Sequence, residues 1–148
     1  MSIAQNTNLG VITRLRASLI FPSNPSLNIP ANALGEEGIT IEPEGGGGEL
    51  LGQMTGAVVS LSPYVRVRIS FGVLRTLSIG TVWYERWLKN SAVGDINGTP
   101  VTSVAPTHNV QNAIISSVGR IAENGSSAEL PIVLTGTMIV NSDMWSAV

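Results

Sequence analysis

The sequence contains no cysteine and a single histidine, His108. This excludes disulfides, thiolate metal sites and a cysteine nucleophile together. Charge is scarce too, at 12% of 148 residues, where a typical soluble domain carries about 25%. With 43% hydrophobic residues, a highly charged disordered chain is excluded. Eight basic against ten acidic groups leave a net charge of −2, the wrong balance for a surface that neutralises a polyanion. Long hydrophobic runs are also missing. The charge-free stretches 17–35 and 96–119 are broken by Pro, Asn, Thr and Ser, so no membrane span is expected. Residues 1–10 have neither the basic start nor the apolar centre of a signal peptide.

What the chain does have is β-branched residues: 15 Val, 14 Ile and 11 Thr. They fit pleated, half-buried strands better than helices. The composition therefore predicts one mainly β domain, residues 1–148. Low charge on a chain this small suits faces covered by neighbours in an assembly.

Alternation locates the strands. Val11–Phe21 alternates, with Val11, Thr13, Leu15, Ala17, Leu19 and Phe21 on one face. Residues 22–38, with Pro22, Pro25 and Pro30, predict a loop with a short strand near 27–29. Two strands, or one broken at Pro63, are expected over Met54–Leu61 and Tyr64–Phe71. The second places Val65, Val67, Ile69 and Phe71 on one face and Arg66, Arg68 and Ser70 on the other. The arginines serve as a solvated sheet face, as partners for acidic groups of another subunit, or as a nucleic-acid contact. Val73–Asn90 carries apolar residues at helical spacing and predicts the one helix, with Trp83 and Trp87 stacked along it. Core packing over a sheet and a ligand platform are both open to these tryptophans. Asn97-Gly98 reads as a hairpin turn. Thr107–Val118, with His108, Val110, Asn112, Ile114, Ser116 and Val118 on one face, and Ala128–Val140 form a long hairpin through a turn at 123–127. Its edges, charge-poor and long, are expected to pair with copies of the same chain.

Residues 36–53 form a glycine-rich loop in this reading. Gly45–Gly48 lack side chains to pack and lose much entropy when ordered. The segment is either a mobile tip or a loop that orders against a partner. Charge is arranged in blocks: +2 over 1–35, −5 over 36–49, +4 over 50–94 and −3 over 95–148. Opposite blocks on one small chain suit contacts between like copies.

Catalytic chemistry has little to stand on. His108 has no supporting triad pattern and reads as a strand-face residue. Glu42 and Glu44 sit beside the glycine run rather than on a rigid element, which argues against paired-acid hydrolysis or a calcium loop. No phosphate-loop or nucleotide pattern is present. The chain is expected not to be an enzyme, and no catalytic, cofactor or metal residue is assigned.

In order, the glycine-rich 36–53 segment, TGAVVSLSPYVRVRISF, VWYERWL, DINGTPV and ELPIVLTGTMIVNSDMW resemble the tail tube proteins of tailed bacteriophages over about residues 10–145. The resemblance implies a small β-sandwich or barrel with one flanking helix, long loops, and sheets continued between subunits. It implies hexameric rings stacked into a hollow tube that conducts DNA during ejection without binding it specifically. Partners would be further copies of the chain, with sheath, baseplate and tail-terminator proteins, in a virion tail assembled in the bacterial cytoplasm. An N-terminal arm, 1–10, and the 36–53 loop would order on stacking. Strands 107–118 and 128–140 would line the bore or form a ring contact. Arg66 and Arg68 depart from a DNA-repelling bore, and are expected to face another subunit or the outside. Another virion component (baseplate, connector or capsid-associated) and a β-sandwich ligand-binding module are the alternatives.

Overall fold

The computed structural model describes residues 17–100, 106–119 and 128–142. In chain order the strands are β1 (Ser18–Ile20), β2 (Leu34–Pro43), β3 (Gly48–Gln53), β4 (Gly56–Leu61) and β5 (Tyr64–Leu74). After helix α1 (Ser78–Lys89) come β6 (Ala92–Thr99), β7 (His108–Val118) and β8 (Glu129–Ile139). Six strands form one antiparallel sheet in the order β1-β6-β7-β8-β5-β2. The sheet curls strongly into a half-barrel, and α1 is the one α-helix among the described residues. β3 and β4 pair only with each other.

Period-two burial builds the core. β5 buries Val65, Val67, Ile69, Phe71 and Val73, and β8 opposite it buries Leu130, Ile132 and Leu134. Leu19 and Phe21 of the first predicted strand are buried as its alternation requires; its residues 11–16 lie outside the described residues. Trp83 lies fully buried on α1. It meets Phe21 at 5.2 Å and Phe71 at 5.4 Å, both edge-to-face, the geometry that the ring quadrupoles favour. The helix is thus anchored to both ends of the sheet's core. Gly80 allows its first turn to cross β5, because a Cβ there would lie 2.9 Å from the Leu74 carbonyl oxygen. Arg86 donates to the Ala92 carbonyl (2.7 Å) and to Asn24 Oδ1 (3.3 Å), fastening the helix end to the start of β6.

Several expectations change. Val73 and Leu74 belong to β5, and the helix starts at Ser78. Both residues continue the pairing with β8, and this tertiary pairing overrides the helical spacing of their side chains. Trp87 does not stack on Trp83; its ring lies 5.8 Å from Tyr84 instead. Asn97-Gly98 is not a turn. It lies within β6, where Asn97 opposes Ile20 and Asn109, and Gly98 opposes Leu19 and His108. Strands on both sides hold the dipeptide extended. Gly98 serves close packing, with Leu19 Cδ2 and His108 Cβ 3.5 and 3.6 Å from where a Cβ would stand.

β7 keeps its predicted place but changes its faces. An extra residue between Gln111 and Ile114, with Asn112 at φ 52°, makes a bulge opposite β8. Parity shifts there, so Val110, Ala113 and Ile115 are buried while Ile114 is exposed. The long β7–β8 hairpin is not an edge either. Each of its strands has a neighbour from the same chain on both sides, so its ladder does not depend on a second copy. The sheet's edges are β1 and β2. The turn predicted at 123–127 lies outside the described residues, as does the arm at 1–10.

Candidate assembly surface

The segment expected to be a loop over 36–53 is mostly strand. β2 runs through Pro43 and β3 starts at Gly48, which confines the irregular backbone to Glu44–Gly47. Pairing with β5 holds β2, and pairing with β4 holds β3, so the entropy lost by the glycines is offset by ladder bonds. Gly38, at φ 70°, lies where the β2–β5 register shifts between Leu34 and Ile39, a conformation that L side chains rarely adopt.

β3 and β4, joined by a tight turn at Met54-Thr55, make an arm that stands off the body. Every residue of β3 is exposed, and in β4 only Ser60 is partly covered. Leu50 opposes Val59 and Leu51 opposes Val58. The pleat puts Leu50, Ala57, Val59 and Leu61 on one face with Gly48 and Gly52, and no polar side chain among them. The other face mixes Leu51 and Val58 with Glu49, Gln53 and Ser60. Leu50 is 70% exposed, Val59 62%, and Met54 at the tip fully so. Among the described residues, neither outer edge of this two-stranded ladder has a strand partner. An isolated hairpin is at best marginally stable in water, and an exposed dry face with open edges invites association.

Asn141 clamps the base of the arm. Its Nδ2 donates to the Gly47 carbonyl (2.7 Å) and the Ser62 carbonyl (2.8 Å), joining the outgoing and returning chain. Asn141 takes the left-handed conformation, φ 56°, that Asn tolerates better than most residues.

Beside that base lies an open groove of about 690 Å³ on the solvent face of the sheet. Pro63, Tyr64 and Ile139 line it together with the polar Gln111, Asn112, Thr137 and Ser142. Tyr64 opposes Ile139 across β5 and β8, and Thr137 stands between Arg66 and Gln111 in the next row. The β7 bulge carries Asn112 out to this groove, where its N–H donates to Asp95 Oδ1 (3.3 Å).

The arginines lie on this same face. Arg68 forms an ion pair with Glu44 at 3.6 Å within the chain, and is opposite Glu42 in the β2–β5 register. The acidic block therefore meets a basic group intramolecularly at this point. Arg66 takes part in no salt bridge among the described residues.

His108 is half-buried and lines a cleft of about 280 Å³ between the two edge regions of the curl, with Ile39, Ile41, Ala17, Gly98 and Thr99. Among the described residues that lining carries no carboxylate. Glu42 and Glu44 are exposed on the β2 side of the sheet. Among the described residues no group of three or more His, Asp or Glu side chains could hold a metal ion. No helix there is long and apolar enough to cross a membrane.

The arm was the feature that sequence reading missed. β4 falls within the strand expected over Met54–Leu61, but its partner β3 was missed, because Gly45–Gly48 and Gly52 made 36–53 look like loop, although Leu50-Leu51 and Val58-Val59 mirror one another about Met54-Thr55 at the separation of a two-residue hairpin turn. Neither a family model nor a curated protein matches the chain.

Proposed function

We propose that the protein is a structural subunit that assembles with copies of itself, and that the assembly is the stacked hexameric rings of a bacteriophage tail tube, through which DNA passes. The observation that carries this reading is the β3–β4 arm, which exposes a wholly apolar face and two open edges. A chain with only 12% charged residues has no spare solvating groups to tolerate such a feature unless it is covered. The open edge of β2 supplies a second place where a copy of the sheet can continue. Contacts between unlike edges propagate, and they close into rings when the rotation permits.

The described surface is also poor in chemistry. The larger groove holds no ionisable side chain other than the Tyr64 phenol, and the His108 cleft holds no second catalytic group. In the proposed setting the sheath, baseplate and terminator proteins of a virion tail would be the outer partners.

Native mass measurement over a concentration series, followed by negative-stain microscopy, tests the reading. Six-fold rings or tubes are the expected result. A strict monomer at high concentration, with no growth on any tail template, would reject it.

A further inference from the structure

We propose that the groove beside the base of the arm is a binding site for a neutral saccharide. The site is separate from the surfaces that the assembly reading uses, and it stands or falls independently of them.

The lining defines its ligand by what it can and cannot satisfy. Tyr64 and Ile139, opposite one another across the β5–β8 ladder, are both more than half exposed and supply aromatic and aliphatic surface. With them stand two amides, Gln111 and Asn112, and two hydroxyls, Thr137 and Ser142. Each of these four side chains both donates and accepts hydrogen bonds, and none carries charge. The Thr137 hydroxyl donates to the Gln111 carbonyl (3.2 Å) and can still accept. Among the described residues no hydrogen bond engages the side-chain amide of Gln111 or Asn112. An anionic ligand would call for a cation in the lining and a cationic ligand for a carboxylate. The described lining has neither; Arg66, opposite Thr137, does not line it. A purely apolar ligand would strip water from the amides and hydroxyls without replacing its hydrogen bonds. An extended peptide adds to an open sheet edge, yet β5, β7 and β8 each have a strand on both sides, and the Asn112 N–H at the bulge is already given to Asp95. A sugar ring meets every condition. Its C–H face covers apolar and aromatic surface, and its hydroxyls donate and accept around the edge. The volume, about 690 Å³, lies within the range of roughly 300–1,000 Å³ usual for small-ligand sites.

The backbone is irregular at this same spot. Gln111 and Asn112 are consecutive in β7, and regular alternation would send them to opposite faces of the sheet. Both line the groove, because the register shifts between Gln111 and Ile114. Among the described residues only two that are not glycine take a positive φ, Asn112 at 52° and Asn141 at 56°. The first lines the groove, and the second immediately precedes Ser142, which also lines it. Sparsely populated conformations of this kind cluster at ligand clamps. Here they bring two amides and a hydroxyl to one place, and the bonds from Asn112 to Asp95 and from Asn141 to the Gly47 and Ser62 carbonyls hold them there.

Saturation-transfer NMR tests the site, because it reads the ligand and works whatever the size of the protein's assembly. The probes are maltotriose, cellotriose and triacetylchitotriose, followed by an array of neutral glycans. At least one saccharide is expected to receive saturation, strongest on the C–H protons of one ring face. Its Kd should rise on the order of tenfold in Tyr64→Ala and in Asn112→Gly. Glycine keeps the left-handed backbone of the bulge while removing the amide. Thermal melting establishes that each variant is folded, and should Tyr64→Ala not fold, Asn112→Gly decides alone. No transfer to any probe or to any glycan of the array would overturn the site. Transfer that is unchanged in the folded variants would overturn it too, since the sugar would then lie elsewhere. Inorganic phosphate binding more tightly than every saccharide, and lost in the same variants, would overturn the neutral ligand class.

Discussion

The most informative perturbation replaces one cross-strand pair on the arm, Leu50→Glu together with Val59→Lys. These residues face each other across β3 and β4, so the new side chains form an opposite-charge pair. Such a pair supports a hairpin by roughly 0.2–1 kcal/mol, which keeps the free arm intact. The dry face, however, is lost. Fully burying a Leu or Val side chain is worth about 1.5–3 kcal/mol. Leu50 and Val59 are 70% and 62% exposed, so about two-thirds of that value remains available to a partner at each position. The double substitution should therefore weaken each arm contact by roughly 2–4 kcal/mol. At about 1.4 kcal/mol per tenfold, the association constant falls on the order of 30- to 700-fold. Sedimentation velocity over a concentration series reads this as a shift of the assembly midpoint, and thermal melting should show little change, because neither residue packs on the body. An unmoved midpoint with an unmoved melting temperature would refute the claim that the arm drives association.

Other substitutions test the fold beneath the surface. Gly136→Ala should destabilise by about 1–3 kcal/mol, because the added Cβ would press into Val110 Cγ1 and lie 3.2 Å from the Gln111 carbonyl oxygen; urea unfolding measures it. Trp83→Ala should cost about 3–5 kcal/mol and abolish the near-UV dichroism of the Phe21–Trp83–Phe71 cluster. Asn141→Ala should cost about 1–3 kcal/mol in urea unfolding, since two hydrogen bonds worth roughly 0.5–1.5 kcal/mol each are lost. Amide exchange in residues 48–61 should also quicken, as the clamp at Gly47 and Ser62 is gone. Arg68→Ala should change stability by less than about 0.5 kcal/mol, because a pair at 3.6 Å with Arg68 53% exposed is heavily screened; a larger loss in urea unfolding would show that the pair is coupled to the β2–β5 ladder.

Much of the body was legible because it obeys local rules. The alternation of Val65, Val67, Ile69 and Phe71, and of Leu130, Ile132 and Leu134, is a direct record of which face meets the core, since strand geometry leaves side chains only two directions. Of the roles left open for Trp83, core packing is the one it takes, because one amphipathic helix has nowhere to bury an indole except against a sheet. The candidate site was less legible. Arg66 and Arg68 were placed on the correct face, but that Arg68 pairs with Glu44 of its own chain depends on β2 folding beside β5. The groove draws on Pro63-Tyr64, Gln111-Asn112 and Thr137–Ile139, residues brought together only by the strand order.

By itself, then, the sequence determined the strand-rich composition, the buried face of β5 and β8, and the single helix, because each of these follows from side-chain chemistry repeated at short range. Tertiary structure decided the rest. Strand order made β7 and β8 interior and left β1 and β2 as edges, and the bulge at Asn112 reversed the parity of β7. Neighbours on both sides drew Asn97-Gly98 into a strand, and cross-strand pairing turned a glycine-rich stretch into an arm. Backbone hydrogen bonds do not depend on side-chain identity, so a ladder's partner and register are fixed by which strands the whole chain brings together.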